Sequence, residues 1–325
     1  MPEIARVTAA MLTDPAFAAL DVHPFTGSFG RRYYPAVFGD KRRDESFAVT
    51  EQGKPLLLVP CALGEGALDH YGLPARFFPR AGLAQAELAE TVEAALDHIG
   101  ALAAGSNRVT LRDDAGADAP SALGETCRKR GYAFVPHVDG YADLTGGEAG
   151  LRKTLRKSFK SLLNWGKRSM ALDTIDRQHP SRDVFRRYQE FHFAVAGRTT
   201  RPQASWDAMF DWIAAGHGEL ILASLEGALV AGTMVVDGTS TAFYASGVYD
   251  RERFDKPLAH WPLWLAMLHA GERGMKTFDL GDLPLEGAAS AKEVNIGYFK
   301  RGFVTGTKNW TAWTWNKEPG TRVPA

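Results

Sequence analysis

The spacing of apolar positions reads most cleanly in the second half of the chain. Leu151, Leu155, Phe159, Leu162 and Leu163 recur at the helical period and predict one helix from Glu148 to about Arg168. A short strand follows at Ala171 to Arg177. Val184, Tyr188, Phe191 and Val195 mark an amphipathic helix over Arg182 to Ala196, and a Trp- and Phe-rich helix covers Ala204 to Ala215. Three strands come next, Glu219 to Leu225, Leu229 to Val236 and Thr241 to Tyr249, with Glu226-Gly227 and Asp237-Gly238 as turn signals between them. Pro257 predicts the opening of a long helix to about Arg273, because proline suits a first helical turn. A strand at Lys276 to Leu280, a helix at Ala289 to Arg301 and a strand at Lys308 to Trp315 complete the order β-α-α-β-β-β-α-β-α-β.

The first half reads as a worn copy of the second. Ser46 to Thr50 and Pro55 to Cys61 form a hairpin across Gln52-Gly53. A helix at Ala86 to Ala103 precedes a strand at Arg108 to Leu111, as the long helix precedes Lys276 to Leu280. A helix at Ser121 to Arg130 ends in Lys129-Arg130-Gly131-Tyr132, echoing Lys300-Arg301-Gly302-Phe303, and the strand Tyr132 to His137 follows. Cys127 stands where the second copy has Tyr298. The expectation is an α/β (α+β) chain of two tandem domains, 1–145 and 146–325, each a mixed central sheet flanked by helices, the first degenerate.

Composition narrows the function classes. The 325 residues leave room for two cores, since a single core seldom grows beyond about 250–300 residues. With 38 basic and 38 acidic residues the formal net charge is zero, which argues against a dedicated DNA or RNA binder and makes any basic surface local. Two separate cysteines and nine histidines without paired spacing signal neither disulfides nor a metal site. No apolar run approaches about 18 residues, so no membrane span is expected, and the N-terminus lacks the basic stretch of a secretion signal. A cytoplasmic protein is the expectation.

The chemistry concentrates near the C-terminus, in Ile296-Gly297-Tyr298-Phe299-Lys300-Arg301-Gly302-Phe303. Helix spacing puts Tyr298 and Gly302 on one face, so the phenol is expected to turn toward whatever the helix packs on, and Gly302 to end the helix in a left-handed cap. A phenol can supply a proton and an ammonium can hold developing negative charge, the two tasks of acyl transfer. An ordinary aromatic core face with a basic outer face is the other reading of the same residues.

Three segments carry a resemblance. They are Gly140-Tyr141-Ala142-Asp143-Leu144 with Leu151-Arg152-Lys153-Thr154-Leu155-Arg156-Lys157-Ser158, then Ala270 to Gly281 with its ending Phe278-Asp279-Leu280-Gly281, then Phe299-Lys300-Arg301-Gly302-Phe303. In this order they resemble the Gcn5-related N-acetyltransferase (GNAT) superfamily, in its tandem-domain FemABX branch. The resemblance covers about Gly140 to Trp315, and the first half only by topology. It implies Lys300 and Phe299 at the tetrahedral intermediate and the donor's terminal base, and Tyr298 as proton donor. Acetyl-CoA enzymes of the superfamily hold pyrophosphate on a glycine turn, but Asp250 to His260 contains no glycine here. That departure weakens coenzyme A and favours an aminoacyl-tRNA donor.

Further candidates follow from charge and position. The stretch Arg152 to Arg168 carries seven basic residues (Arg152, Lys153, Arg156, Lys157, Lys160, Lys167 and Arg168) and no acidic one, a landing strip for phosphates or a solvated face. Arg198-Thr199-Thr200-Arg201 between two helices can clamp an anionic acceptor. His260, with Trp261 and Trp264, is a candidate base near neutral pH; Arg301 lies beside Lys300. Asp279 and Asp282 flank a strand end, where capping explains them as well as chemistry does. The expected activity is N-acyl or aminoacyl transfer to an anionic amine of a cell-envelope precursor, with no tightly bound cofactor and with aminoacyl-tRNA or acyl-CoA as co-substrate. The alternatives are acyl-CoA transfer to a nucleotide-linked amino sugar, and a binding or scaffold protein that kept the fold and lost the chemistry. Oligomeric state is not legible.

Overall fold

The structure, a computed structural model, describes residues 2–21, 23–114, 121–284 and 289–317. The chain opens with β1 (Glu3–Arg6), α1 (Ala9–Thr13) and α2 (Ser28–Phe38). Strands β2 (Arg43–Asp44), β3 (Phe47–Glu51), β4 (Lys54–Val59), β5 (Ala62–Gly64), β6 (Ala67–Asp69), β7 (Ala75–Arg76) and β8 (Phe78–Pro79) come next. Then follow α3 (Gln85–Leu102), β9 (Arg108–Asp113), α4 (Ala122–Lys129) and β10 (Ala133–Asp143). The remainder is α5 (Gly147–Thr154), α6 (Phe159–Ser169), β11 (Ala171–Ile175), α7 (Arg182–Ala196), α8 (Gln203–Ala214), β12 (Gly218–Leu225), β13 (Ala228–Asp237), β14 (Thr241–Tyr249), α9 (His260–Glu272), β15 (Thr277–Asp282), α10 (Ala291–Lys300) and β16 (Gly306–Asn316).

Two compact units result. The first comprises Met1–Leu20, Phe38–Val138 and Asn309–Ala325; the second comprises Asp21–Val37 and Asp139–Lys308. The units cross the sequence division at 145/146 because β10 and β16 each begin in one unit and end in the other, and because Asp21–Val37 folds with the second. In the first unit, β3 and β4 form the hairpin expected across Gln52-Gly53, both turn residues having positive φ. Its core gathers α3, α4 and the strand residues Val49, Leu57, Val109 and Leu111.

The second unit is a twisted mixed sheet with helices on both faces. β11, β12, β13 and β14 are antiparallel neighbours, and β15 pairs antiparallel with the end of β10. One face packs on α5, α6 and α9 through Leu151, Leu163, Leu263, Trp264 and Met267. The other packs on α7 and α8 through Tyr188, Trp206, Met209 and Ile213, with Phe29 of α2. The turn Glu226-Gly227 has φ of 53° and 83°, the geometry a two-residue hairpin demands. β14 and β15 run parallel and pair only at Thr241–Thr277, Ala242–Phe278 and Phe243–Asp279. Beyond Phe243, β14 continues to Tyr249 while β15 turns to Gly281 and Asp282 against β10, so the two strands part.

Four sequence expectations change. The helix Glu148 to Arg168 is two helices, α5 and α6, broken at Leu155–Ser158, where Arg156 N–H donates 3.0 Å to the carbonyl of Gly302. The helix after Pro257 starts at His260, because the preceding residues form a separate turn at Arg251–Arg253. Gly302 is not in the left-handed region: α10 runs on through Arg301 at φ −55°. A side chain there is excluded instead by Phe159, whose Cε2 lies 2.0 Å from where a Cβ would stand. The echo in the first unit does have the left-handed stop, with Gly131 at φ 76° and Tyr132 N–H bonded to the Cys127 carbonyl. The same letters therefore end two helices differently. Tyr298, finally, is 63% exposed rather than turned toward the packed side.

Candidate active site

Phe243 and Asp279, the last residues paired before β14 and β15 part, are the natural reference point. Asp279 is fixed by its own strand end: Gly281 N–H donates 2.6 Å to its Oδ1, and Gly281 adopts φ +72° to make that turn. The Lys300 ammonium lies 3.5 Å from where a Gly281 Cβ would stand, and Phe243 Cε2 lies 3.9 Å from it. Lys300 Nζ also donates 3.3 Å to the Asp282 carbonyl. Burial holds the pKa of Lys300 below the usual lysine range, while Asp279, Asp282 and Asp139 push it back up. The result is a half-buried cation at the Gly281–Asp282 end of β15.

Tyr298 and Lys300 do not share that point. Residues two apart on a helix face away from each other, and α10 turns Lys300 in and Tyr298 out. The Tyr298 ring lies under the Arg156 guanidinium at 4.0 Å, and Arg156 Nη2 donates 2.9 Å to the Tyr298 carbonyl. Phe299 joins a ring cluster with Phe159, His260 and Phe303. His260 sits edge-on to Phe159 at 4.5 Å and to Phe299 at 5.1 Å. Burial and the nearby Arg156 drive its pKa down to about 4, so it is uncharged and enclosed rather than poised near neutrality. Arg301 reaches the Pro284 carbonyl at 2.9 Å.

The cationic stretch is only partly available. Glu148 holds Arg152 as an i,i+4 pair. Lys153, Lys157, Lys160, Lys167 and Arg168 are exposed, and Arg156 is half-buried with Nη1 enclosed and unpartnered among the described residues. Asp250 to His260 offers little free backbone to a phosphate. The N–H groups of Glu252, Arg253, Lys256, Leu258 and His260 are engaged within the segment, to Asp250, Arg253, Lys256 and Pro257. On the α7–α8 side, Arg201 lies over Trp206 at 4.6 Å and donates 3.0 Å to the Tyr33 hydroxyl, whereas Arg198 is exposed. Neither forms an ion pair with a carboxylate among the described residues.

Two further groups carry no local sequence signal. Tyr188 donates 2.8 Å to Ser246, and the Tyr244 and Tyr249 hydroxyls meet at 2.5 Å where β14 continues past β15. His23 lies 3.7 Å from Asp279, brought there by the segment that folds into the second unit. The Tyr188–Ser246 and His23–Asp279 contacts join residues far apart in the chain, to which local pattern is blind. No group of side chains able to hold a metal ion occurs among the described residues.

Residues 149–293 match the family model of the acetyltransferase (GNAT) domain. The matched stretch, a little under half of the chain, is similar to a GNAT acetyltransferase domain. The fold of the chain is α+β and like that of tandem GNAT proteins. FemX superposes with a TM-score of 0.64 at 13% identity over 95% of this chain and 96% of its own. A tandem GNAT protein from the clavulanic acid biosynthesis pathway gives 0.56 at 14% identity over 99% and 100%. L-PGS from Bacillus licheniformis gives 0.57 at 16% identity over 92% and 91%. At these identities the likeness is one of fold. No curated protein matches the sequence. The match at residues 149–293 supports acyl-transfer chemistry at the level of the family. No helix among the described residues is long and apolar enough to cross a membrane.

Proposed function

We propose that the GNAT unit transfers an aminoacyl group from aminoacyl-tRNA to the amine of an anionic cell-envelope precursor, with the chemistry at the parting of β14 and β15. The observation that carries the reading is the Lys300 ammonium, half-buried between Gly281, Phe243 and the Asp282 carbonyl. A positioned cation of this kind stabilises a tetrahedral oxyanion by about 3 kcal/mol. Phe299, in the ring cluster beside it, offers a stacking face to the donor's terminal base. Tyr298, facing outward, is not the proton donor in this reading; with Arg156 it belongs to the surface that meets the donor.

Two features favour RNA over coenzyme A. The segment Asp250 to His260 has no glycine and engages five of its N–H groups in its own turns, which disfavours pyrophosphate binding there. The exposed Lys153, Lys157 and Lys160, with Arg156, supply phosphate contacts close to Tyr298 and Phe299. Arg201, and Arg198 beside it in the chain, suit an anionic acceptor. The test is binding of charged bulk tRNA and of acetyl-CoA to the full chain. The reading expects salt-dependent RNA binding and no thermal shift with acetyl-CoA; the reverse result overturns it in favour of acyl-CoA transfer.

A further inference from the structure

Resting on the reading of the Lys300 site as an acyl-transfer centre, we propose that Arg201 is the seat for a carboxylate of the acceptor, so that the amine substrate is a peptide-like acid rather than a phosphate ester. Arg201 is partly exposed at the end of the loop between α7 and α8, in which Gly197, Arg198 and Thr199 are exposed. One nitrogen makes both of its polar contacts. Nη1 donates 3.0 Å to the Tyr33 hydroxyl and lies 3.3 Å from Met209 Sδ. The Trp206 ring lies 4.6 Å beneath the guanidinium. Nε and Nη2, which share the other edge of the fork, meet no acceptor among the described residues, and no carboxylate there neutralises the charge. An arginine drawn half out of water is normally paired. This one keeps open the edge that binds two carboxylate oxygens side by side.

The neighbouring groups suit one negative charge and not two. The Tyr33 oxygen accepts from Arg201 and keeps its own proton, because burial raises its pKa although Arg201 pulls the other way. That proton is a second donor to the same anion. His192 has Nδ1 3.5 Å from the Thr200 hydroxyl and its ring edge-on to Trp206 at 5.2 Å. Burial lowers the His192 pKa and Arg201 lowers it further, so the ring stays neutral and adds no charge. Arg201 is the cation that acts on Tyr33, Tyr188 and His192 alike. A phosphate monoester, carrying about two negative charges near neutral pH, would be left half compensated, whereas a carboxylate is matched. A run of rings joins the seat to the Lys300 site within the second unit. Tyr33 is edge-on to Phe25 at 5.9 Å, Phe25 is edge-on to Phe243 at 5.1 Å, and Phe243 lies beside the Lys300 ammonium at Gly281. That interval suits an acceptor whose amine and carboxylate are several bonds apart.

Two measurements test the assignment. The first follows Arg201 Nε–H by NMR in the full chain labelled with 15N-arginine, the signal being identified by its loss in Arg201→Gln. Acetate is expected to move it saturably, acetamide to leave it in place, and inorganic phosphate to bind no more tightly than acetate. Tyr33→Phe, which keeps the guanidinium, is expected to weaken acetate binding by about fivefold to tenfold. No saturable shift with acetate, or tighter binding of phosphate, overturns the seat whatever the substrates are, and an unchanged affinity in Tyr33→Phe removes the hydroxyl from it. The second measures transfer from charged bulk tRNA, and separately from acetyl-CoA, to diglycine, triglycine and tetraglycine and to their C-terminal amides. The wild type is expected to favour the acid over the amide by about tenfold or more in kcat/KM, carried by KM. Arg201→Gln, confirmed folded by thermal scan, is expected to bring that ratio close to one. A wild-type ratio near one, or a preference that survives in Arg201→Gln, overturns the proposal. An inert wild type that still binds acetate at Arg201 fails the acyl-transfer reading and leaves a carboxylate site, whereas an active wild type indifferent to the carboxylate fails this proposal alone.

Discussion

Gly302→Ala inserts a methyl carbon 2.0 Å from Cε2 and 2.4 Å from Cζ of Phe159. Unbonded carbons settle at about 3.5–4.0 Å, so the ring would have to retreat by roughly 1.5 Å or more. Little space receives it. Phe159 is buried, edge-on to His260 at 4.5 Å and 5.0 Å from Phe303. The backbone at Gly302 is tied as well, since its carbonyl accepts from Arg156 N–H. Overpacking a closed core costs about 1–3 kcal/mol. With ring and backbone both engaged, the upper half of that range applies. At about 2–4 °C per kcal/mol for a chain of this size, the melting temperature should fall by roughly 4–10 °C. Thermal scans of the wild type, Gly302→Ala, Phe159→Leu and the double variant measure it. Because leucine makes room for the methyl, the double variant should be more stable than the sum of the two single losses. Strictly additive losses, or a Gly302→Ala melting temperature within about 1 °C of wild type, would refute the steric account of this glycine.

Other outcomes follow from the same contacts. Glu219 is buried between His269 at 2.8 Å and Arg273 at 3.0 Å, and Arg273 is also bonded to Asp237. Glu219→Gln should therefore lower stability by about 3–5 kcal/mol in denaturant titration, as breaking a buried charge network does. The Glu219 bond raises the His269 pKa. That contribution is complete below the unfolded histidine value near pH 6.5 and is lost as pH rises through the higher folded value. Stability measured across this window should decline in the wild type and flatten in His269→Gln. Arg156→Ala should weaken binding of charged bulk tRNA and make its logarithmic salt dependence shallower by about one unit; an unchanged slope would remove Arg156 from the RNA contact.

What was legible in the sequence was what local pattern and turn chemistry determine. The bounds of β12, β13 and β14 agree with the apolar runs to within a residue or so, because Glu226-Gly227 imposes a two-residue turn and most of β12 and β13 is buried on both faces. Ser290 and Glu293 cap α10 reciprocally close to the expected start. The break between α5 and α6 was hidden, because Leu155 and Phe159 keep the helical period across it while a bond to Gly302 decides the conformation. The need for glycine at 302 was visible as a letter but not as a reason: a left-handed stop and an aromatic ring pressed on the backbone leave the same residue behind. Lys300 was singled out by its motif, whereas nothing in the sequence pointed to His23. Its partner Asp279 was noticed only as a strand end, since nothing in either segment announces a contact between β15 and the turn before α2.

The central claim is that the Lys300 ammonium at the parting of β14 and β15 stabilises the acyl-transfer intermediate. The most direct measurement is the rate of aminoacyl transfer from charged bulk tRNA to hydroxylamine by the wild type, Lys300→Ala and Lys300→Arg, each confirmed folded by thermal scan. The account predicts a loss of about 10²-fold in kcat for Lys300→Ala. It also predicts an alkaline limb in the wild type below the ordinary lysine range, displaced upward in Lys300→Arg. A folded Lys300→Ala protein that turns over at the wild-type rate would contradict it.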